Sequence, residues 1–149
     1  MAIIGMLHVA LGVTDMSRSL AFYRDVLGFA VVGEVAFAGD ASARSLGVDA
    51  ALRGVLLERD GFRLELLQRL GGDAGEPGAA GTLSHLALAV DDLGSTLHSL
   101  RDRDVEVQSE TLAEHAPGVA SCLVHDPDGL PIVLYQAPAG AASPWDRCR

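Results

Sequence analysis

Two stretches decide the fold: Leu7-His8-Val9-Ala10-Leu11-Gly12-Val13-Thr14-Asp15-Met16 and Ser84-His85-Leu86-Ala87-Leu88-Ala89-Val90-Asp91-Asp92-Leu93. Aligned without a gap, both carry a His, then alternate small and large apolar residues, and end in an acid before an apolar residue. Alternation with period two is the mark of a strand with two unlike faces. One face carries His8, Ala10 and Gly12, or His85, Ala87 and Ala89. The other carries Leu7, Val9, Leu11 and Val13, or Leu86, Leu88 and Val90. The large aliphatic face calls for a helix packed on it, and the His-plus-small face leaves room for something else.

The segments after the two stretches repeat as well. Asp15 caps a predicted helix with Met16, Leu20, Tyr23 and Leu27 at helical spacing, and Gly28 stops it. A strand is expected over Phe29 to Phe37, then a loop over Gly39 to Asp49. A hairpin of Ala51 to Glu58 and Phe62 to Gln68 turns at Arg59-Asp60-Gly61. In the second half, the strand His85 to Val90 leads to a helix with Leu93, Leu97 and Leu100 inward. A strand near Val105 to Gln108 and a loop through His115-Ala116-Pro117-Gly118 come next. The last hairpin joins Val119 to His125 with Leu130 to Gln136 at Asp126-Pro127-Asp128-Gly129. Matching Gly61 to Gly129 superposes Leu64 on Ile132, Glu65 on Val133, Leu66 on Leu134 and Gln68 on Gln136.

The expected fold is therefore α+β. Two βαβββ modules, each too small to bury its sheet alone, form a curved mixed sheet around a shared cavity with the helices outside. Residues 1–137 make a single domain with modules at 5–70 and 82–137. A Gly/Ala/Pro-rich linker, 71–81, joins them, and 138–149 is a C-terminal tail that Trp145 could dock.

Composition narrows the function. Of 149 residues, 49% are apolar, which suits a globular chain. The net charge of −9 argues against nucleic acid, whose binders carry a basic footprint. No apolar run reaches the length of a membrane span and no secretory leader is visible, so a cytoplasmic protein with no membrane partner is expected. Cys122 and Cys148 lack metal-type spacing. All eleven basic residues are Arg, so Schiff-base chemistry on a lysine is excluded.

The repeat singles out four equivalent places: His8 and His85 on the first strands, Glu65 and Val133 on the last. Phe62, Leu64 and Leu66 belong to the core face, which turns Glu65 to the opposite face with the two histidines. Two imidazoles and a carboxylate suit Mn²⁺, Fe²⁺, Co²⁺, Ni²⁺ or Zn²⁺. Against this stands an ion pair of Glu65 with Arg63 or Arg53. His98 reads as solvated and His125 as structural. Glu114 and His115 lie where a loop could close over the cavity, and Asp60, Asp126 and Asp128 serve turns.

The sequence resembles the vicinal oxygen chelate superfamily, which includes glyoxalase I, methylmalonyl-CoA epimerase, extradiol dioxygenases and the bleomycin and fosfomycin resistance proteins. The resemblance rests on His8 before Val13-Thr14-Asp15, on Ser19 to Phe29 with its run Phe22-Tyr23-Arg24-Asp25-Val26-Leu27-Gly28-Phe29, and on Leu64-Glu65-Leu66. It rests also on His85 before Val90-Asp91-Asp92 and on Asp126-Pro127-Asp128-Gly129. It implies a divalent ion (Zn, Ni, Co, Mn or Fe) on His8, Glu65 and His85. Val133 departs from the pattern, because it stands where many members have a fourth ligand, Glu. The implied activity is that of a glyoxalase-type lyase, isomerase or epimerase, acting on a small molecule with two adjacent oxygens. Glu65 is then ligand or general base, and His115 or Tyr135 a second acid–base group. A metal-free drug- or metabolite-sequestering protein is the alternative, and a ring-cleaving dioxygenase a lesser one. Homodimerisation is implied by the family and by the exposed sheet edges such a fold leaves.

Overall fold

The first alternating stretch forms β1 (Val9–Val13), followed by α1 (Met16–Leu20), a π-helical turn (Ala21–Val26), β2 (Ala30–Ala38), β3 (Ala51–Arg59) and β4 (Phe62–Leu70). The second forms β5 (Leu86–Val90), then α2 (Leu93–Arg101), β6 (Val107–Ala116), β7 (Val119–His125) and β8 (Pro131–Gln136). This computed structural model describes residues 5–38, 50–71 and 85–136. The chain divides into two units, Met1–Thr82 and Leu83–Arg149. Each unit carries one four-stranded mixed sheet, with strand orders β1-β4-β3-β2 and β5-β8-β7-β6. The loop expected over Gly39 to Asp49, the linker beyond Gly71 and the tail with Trp145 lie outside the described residues.

Sheet register reproduces the repeat found in the sequence. In the parallel pair β1–β4, Val9 faces Leu64 and Ala10 faces Glu65. In β5–β8, Leu86 faces Ile132 and Ala87 faces Val133. In the first unit, Leu11, Val13, Val55, Leu57, Leu64 and Leu66 are buried with Met16, Phe22, Tyr23, Leu27 and Phe29. Tyr23 lies edge-on to Phe22 and to Phe29, with ring centroids 5.2 and 6.2 Å apart. In the second unit, Leu93, Leu97 and Leu100 are buried, as are Leu86, Val124, Ile132 and Leu134. Helix spacing thus places the expected stripe.

Four local expectations are corrected. The single helix from Met16 to Leu27 is a short α-helix followed by the π turn, where the Leu27 N–H donates to the Phe22 carbonyl. Widening the turn brings adjacent Phe22 and Tyr23 both into the core. Leu7, ahead of the paired part of β1, is 78% exposed, and Phe62, at the hairpin turn, is 41% exposed. Lastly, His115 and Ala116 end strand β6 instead of opening a loop; only Pro117 and Gly118 turn, with Gly118 at φ 74°.

The turns and caps obey the chemistry of their residues. Asp60 and Gly61 have φ of 52° and 80°, a two-residue hairpin turn whose twist matches the strands. The Asp126 carboxylate accepts from the N–H groups of Asp128 and Leu130, closing the last turn. Asp15 and Asp92 cap the helices by accepting from the Arg18 and Ser95 N–H groups. Gln68 Oε1 accepts from the Met16 N–H while its Nε2 donates to the Thr14 carbonyl. Gln136 Oε1 accepts from the Leu93 N–H at 2.5 Å. In each unit the strand next to the first therefore anchors a helix start.

The Ser95 N–H holds the exposed Asp92 carboxyl below its usual value. A depressed carboxylate contributes stability above its unfolded value, about 3.9, and loses it as pH falls through the folded value. Asp92→Asn, which still caps, should therefore lie below wild type in thermal midpoint near neutrality. That gap should narrow with acid in melts recorded from about pH 6 to pH 2.

Candidate functional site

The β1–β4 register builds the first half of the candidate site. Leu64 and Leu66 are committed to the core, so Glu65 stands on the opposite face, beside Ala10 of β1. His8, just ahead of β1, directs Nε2 to Glu65 Oε2 at 3.0 Å. The imidazole is 37% exposed, whereas the carboxylate side chain is only 9% exposed. The arginines that sequence offered as partners for Glu65 are engaged elsewhere: Arg63 pairs with Glu58 at 2.7 Å and Arg53 with Glu34 at 3.4 Å.

Room for the carboxylate comes from Gly54. A Cβ at that position would stand 3.0 Å from Glu65 Oε1, 2.8 Å from Val35 Cγ1 and 3.2 Å from Leu67 Cδ2. An isolated glycine inside an apolar strand marks a close approach, and this one lets the Glu65 carboxylate lean over β3. Sequence reading passed Gly54 by, although a lone Gly between Arg53 and Val55 was the available signal.

The second unit presents a different set. His85 is exposed immediately before β5, and Val133, across from Ala87, is half-buried. Tyr135 lies on β8 opposite Ser121 of β7. The register of β6 with β7 breaks between Glu114 and Ala116, so His115 sits at a bulge. Its Nε2 lies 2.9 Å from Ser121 Oγ, and its ring stacks on Tyr135 with centroids 6.5 Å apart and planes at 24°. The structure thus joins His8 with Glu65, and His115 with Tyr135. Ser121 is the partner that the sequence did not disclose. His98 is exposed beside Asp102, as expected.

Within each unit, among the described residues, no three His, Cys, Asp or Glu side chains converge. The donor chemistry of the first unit nonetheless fits a divalent ion. Two ligand atoms at right angles about 2.1 Å from an ion lie roughly 3 Å apart, which is the His8–Glu65 spacing as well as that of a hydrogen bond.

The family model of the Glyoxalase/Bleomycin resistance protein/Dioxygenase superfamily matches residues 5–134. The chain belongs to that superfamily. It is 30% identical to the mitochondrial methylmalonyl-CoA epimerase of Bos taurus, over 87% of this chain and 73% of the relative. It is 29% identical to a probable lactoylglutathione lyase of Synechocystis, over 88% and 94%. Among solved structures it resembles the trypanothione-dependent glyoxalase I of Leishmania major, with TM-score 0.65 and 26% identity over 87% of this chain and 84% of that one. The superfamily relatives thus include lyases and an isomerase.

Gly54→Ala should lower the thermal midpoint at a cost of about 1–3 kcal/mol, the usual range for overpacking. A crystal structure of the variant should find the Glu65 carboxylate moved off His8. Adding Glu65→Ala to that variant should return part of the lost stability.

Proposed function

We propose that the chain is a metal-dependent lyase or isomerase that moves a proton at the carbon beside a thioester carbonyl, in a small substrate offering two neighbouring oxygens. The observation that carries this reading is the His8–Glu65 pair: a nearly buried carboxylate, seated over Gly54, that meets an imidazole and, among the described residues, no arginine. Two relatives are named for chemistry on acyl thioesters, S-lactoylglutathione and methylmalonyl-CoA. In both, the carbon next to the thioester carbonyl bears an acidic hydrogen.

His8, Glu65 and His85 are the proposed ligands, two imidazoles and a carboxylate with positions left for substrate. A divalent ion held there supplies Lewis-acid stabilisation of negative charge developing on the substrate oxygen. Glu65 Oε2 faces His8 while Oε1 leans over Gly54, so one oxygen serves to hold and the other to accept the proton. The working form is a cytoplasmic homodimer, for which the exposed edge strand β2, with Val31, Val32 and Val35 open to solvent, is the structural support.

Val133 favours a second reading, a metal-free binding protein for a drug or metabolite, because an aliphatic side chain at that position cannot ligate. Metal analysis separates the two. Protein purified without a His tag or chelator should carry near one equivalent of a divalent ion, and His8→Ala should lose it. A native protein that carries none, and regains none on dialysis against Mn²⁺, Ni²⁺, Zn²⁺ or Fe²⁺, would leave the binding reading standing alone.

A further inference from the structure

The face of β4 that carries Glu65 carries two arginines as well. Alternation sets Arg63, Glu65, Leu67 and Arg69 together, opposite the buried Leu64 and Leu66. Arg69 is four residues from Glu65, about 13 Å along the strand; Arg63 is two residues away, about 6.6 Å, within reach of an extended guanidinium. Arg53 of β3 shares its face with the buried Val55 and Leu57, away from Glu65. A carboxylate only 9% exposed would attract a guanidinium more strongly than one in open water. Yet Arg63 turns elsewhere: its Nε donates to Glu58 Oε2 at 2.7 Å, across the β3–β4 hairpin.

Resting on the proposed role of Glu65 as an ion ligand, and drawing only on contacts within the first unit, we propose that Glu58 is a positioning residue for Glu65. It holds the Arg63 guanidinium off that carboxylate and so reserves the carboxylate for His8 and a divalent ion. The internal repeat supports the assignment. In β7–β8 the stations of Glu58 and Arg63 fall to His125 and Pro131, which face each other. The unit with Val133 in place of the carboxylate therefore has no arginine at that station to restrain and no acid to restrain it. The charged pair accompanies the carboxylate.

Strand register explains why Glu58 wins the guanidinium. Glu58 lies directly opposite Arg63, whereas Glu65 lies opposite Leu56. Directly opposed residues on one face have Cβ atoms about 4.5–5.5 Å apart, closer than neighbours along one strand. The Arg63 and Glu58 side chains stay 50% and 35% exposed, so their pairing contributes little to folding. What the pair does is direct a charge. Without the Glu58 carboxylate, Glu65 is the remaining acid on that face of β3 and β4. A guanidinium seated on Glu65 would occupy the oxygen lone pairs that a cation needs.

Calorimetric titration of the metal-free chain with Mn²⁺ and Zn²⁺, together with crystal structures grown without metal, tests the assignment. In Glu58→Gln the Arg63 guanidinium should stand against Glu65, and ion affinity should fall about fivefold. Arg63→Gln should keep the wild-type affinity, and the double variant Glu58→Gln, Arg63→Gln should regain it. A role in folding alone would lower the thermal midpoints of both single variants alike and leave ion affinity untouched in each; that outcome overturns the inference. So does Arg63 staying off Glu65 in Glu58→Gln, and so does a double variant that binds as weakly as Glu58→Gln. Should the wild type bind neither ion, the proposed metal chemistry falls. The Glu58→Gln structure then decides by itself: Arg63 on Glu65 supports the role of Glu58, and Arg63 left in solvent overturns it.

Discussion

Everything in the first unit depends on which way the side chains of β4 point. Leu64 and Leu66 are wholly buried, and moving β4 by one residue would turn both into solvent while driving Glu65 into the core. Two fully buried leucines are worth about 3–6 kcal/mol, and a carboxylate buried without partners costs several more. Register is thus held by hydrophobic burial, and the direction of Glu65 is its consequence. The same preference, with Ile132 and Leu134 as the buried pair, turns Val133 and Tyr135 away from the core of the second unit.

On this frame the two units have diverged where they are least constrained, on the face opposite the core. One sheet carries a carboxylate over a glycine; the other carries an imidazole over a serine. The core positions beneath hardly differ in kind, because each must pack a helix with large aliphatic side chains. Gln68 and Gln136 likewise do one job in both units, tying a strand to the first N–H groups of a helix. Membership in a superfamily of lyases, isomerases and resistance proteins is consistent with such a division between a repeated scaffold and freely varied faces.

Much of this was legible in the residues. Alternation located β1 and β5, helical spacing located the Leu93-Leu97-Leu100 stripe, and Asp60-Gly61 marked its turn, because each is a local property of a few neighbouring side chains. The approach of His8 to Glu65 came from face assignment within one repeat. What escaped was set by the third dimension or by subtle departures from regularity. The π turn at Ala21–Val26 has no signature in apolar spacing, since Phe22 and Tyr23 both find the core only after the turn has widened. Strand β6 hid because Gln108 to Ala116 carries few apolar residues and breaks register with β7 twice. Gly54 and Ser121 gained meaning only once strand partners were known.

The seat of Glu65 has a consequence for the endurance of the fold. A carboxylate nearly shielded from water and, among the described residues, without an arginine is a side chain that unfolding would release into a far better solvent. Selection for heat tolerance alone would exchange it for an apolar side chain. The seat of Glu65 thus costs the first unit stability that its all-apolar positions, Val55, Leu57, Leu64 and Leu66, do not.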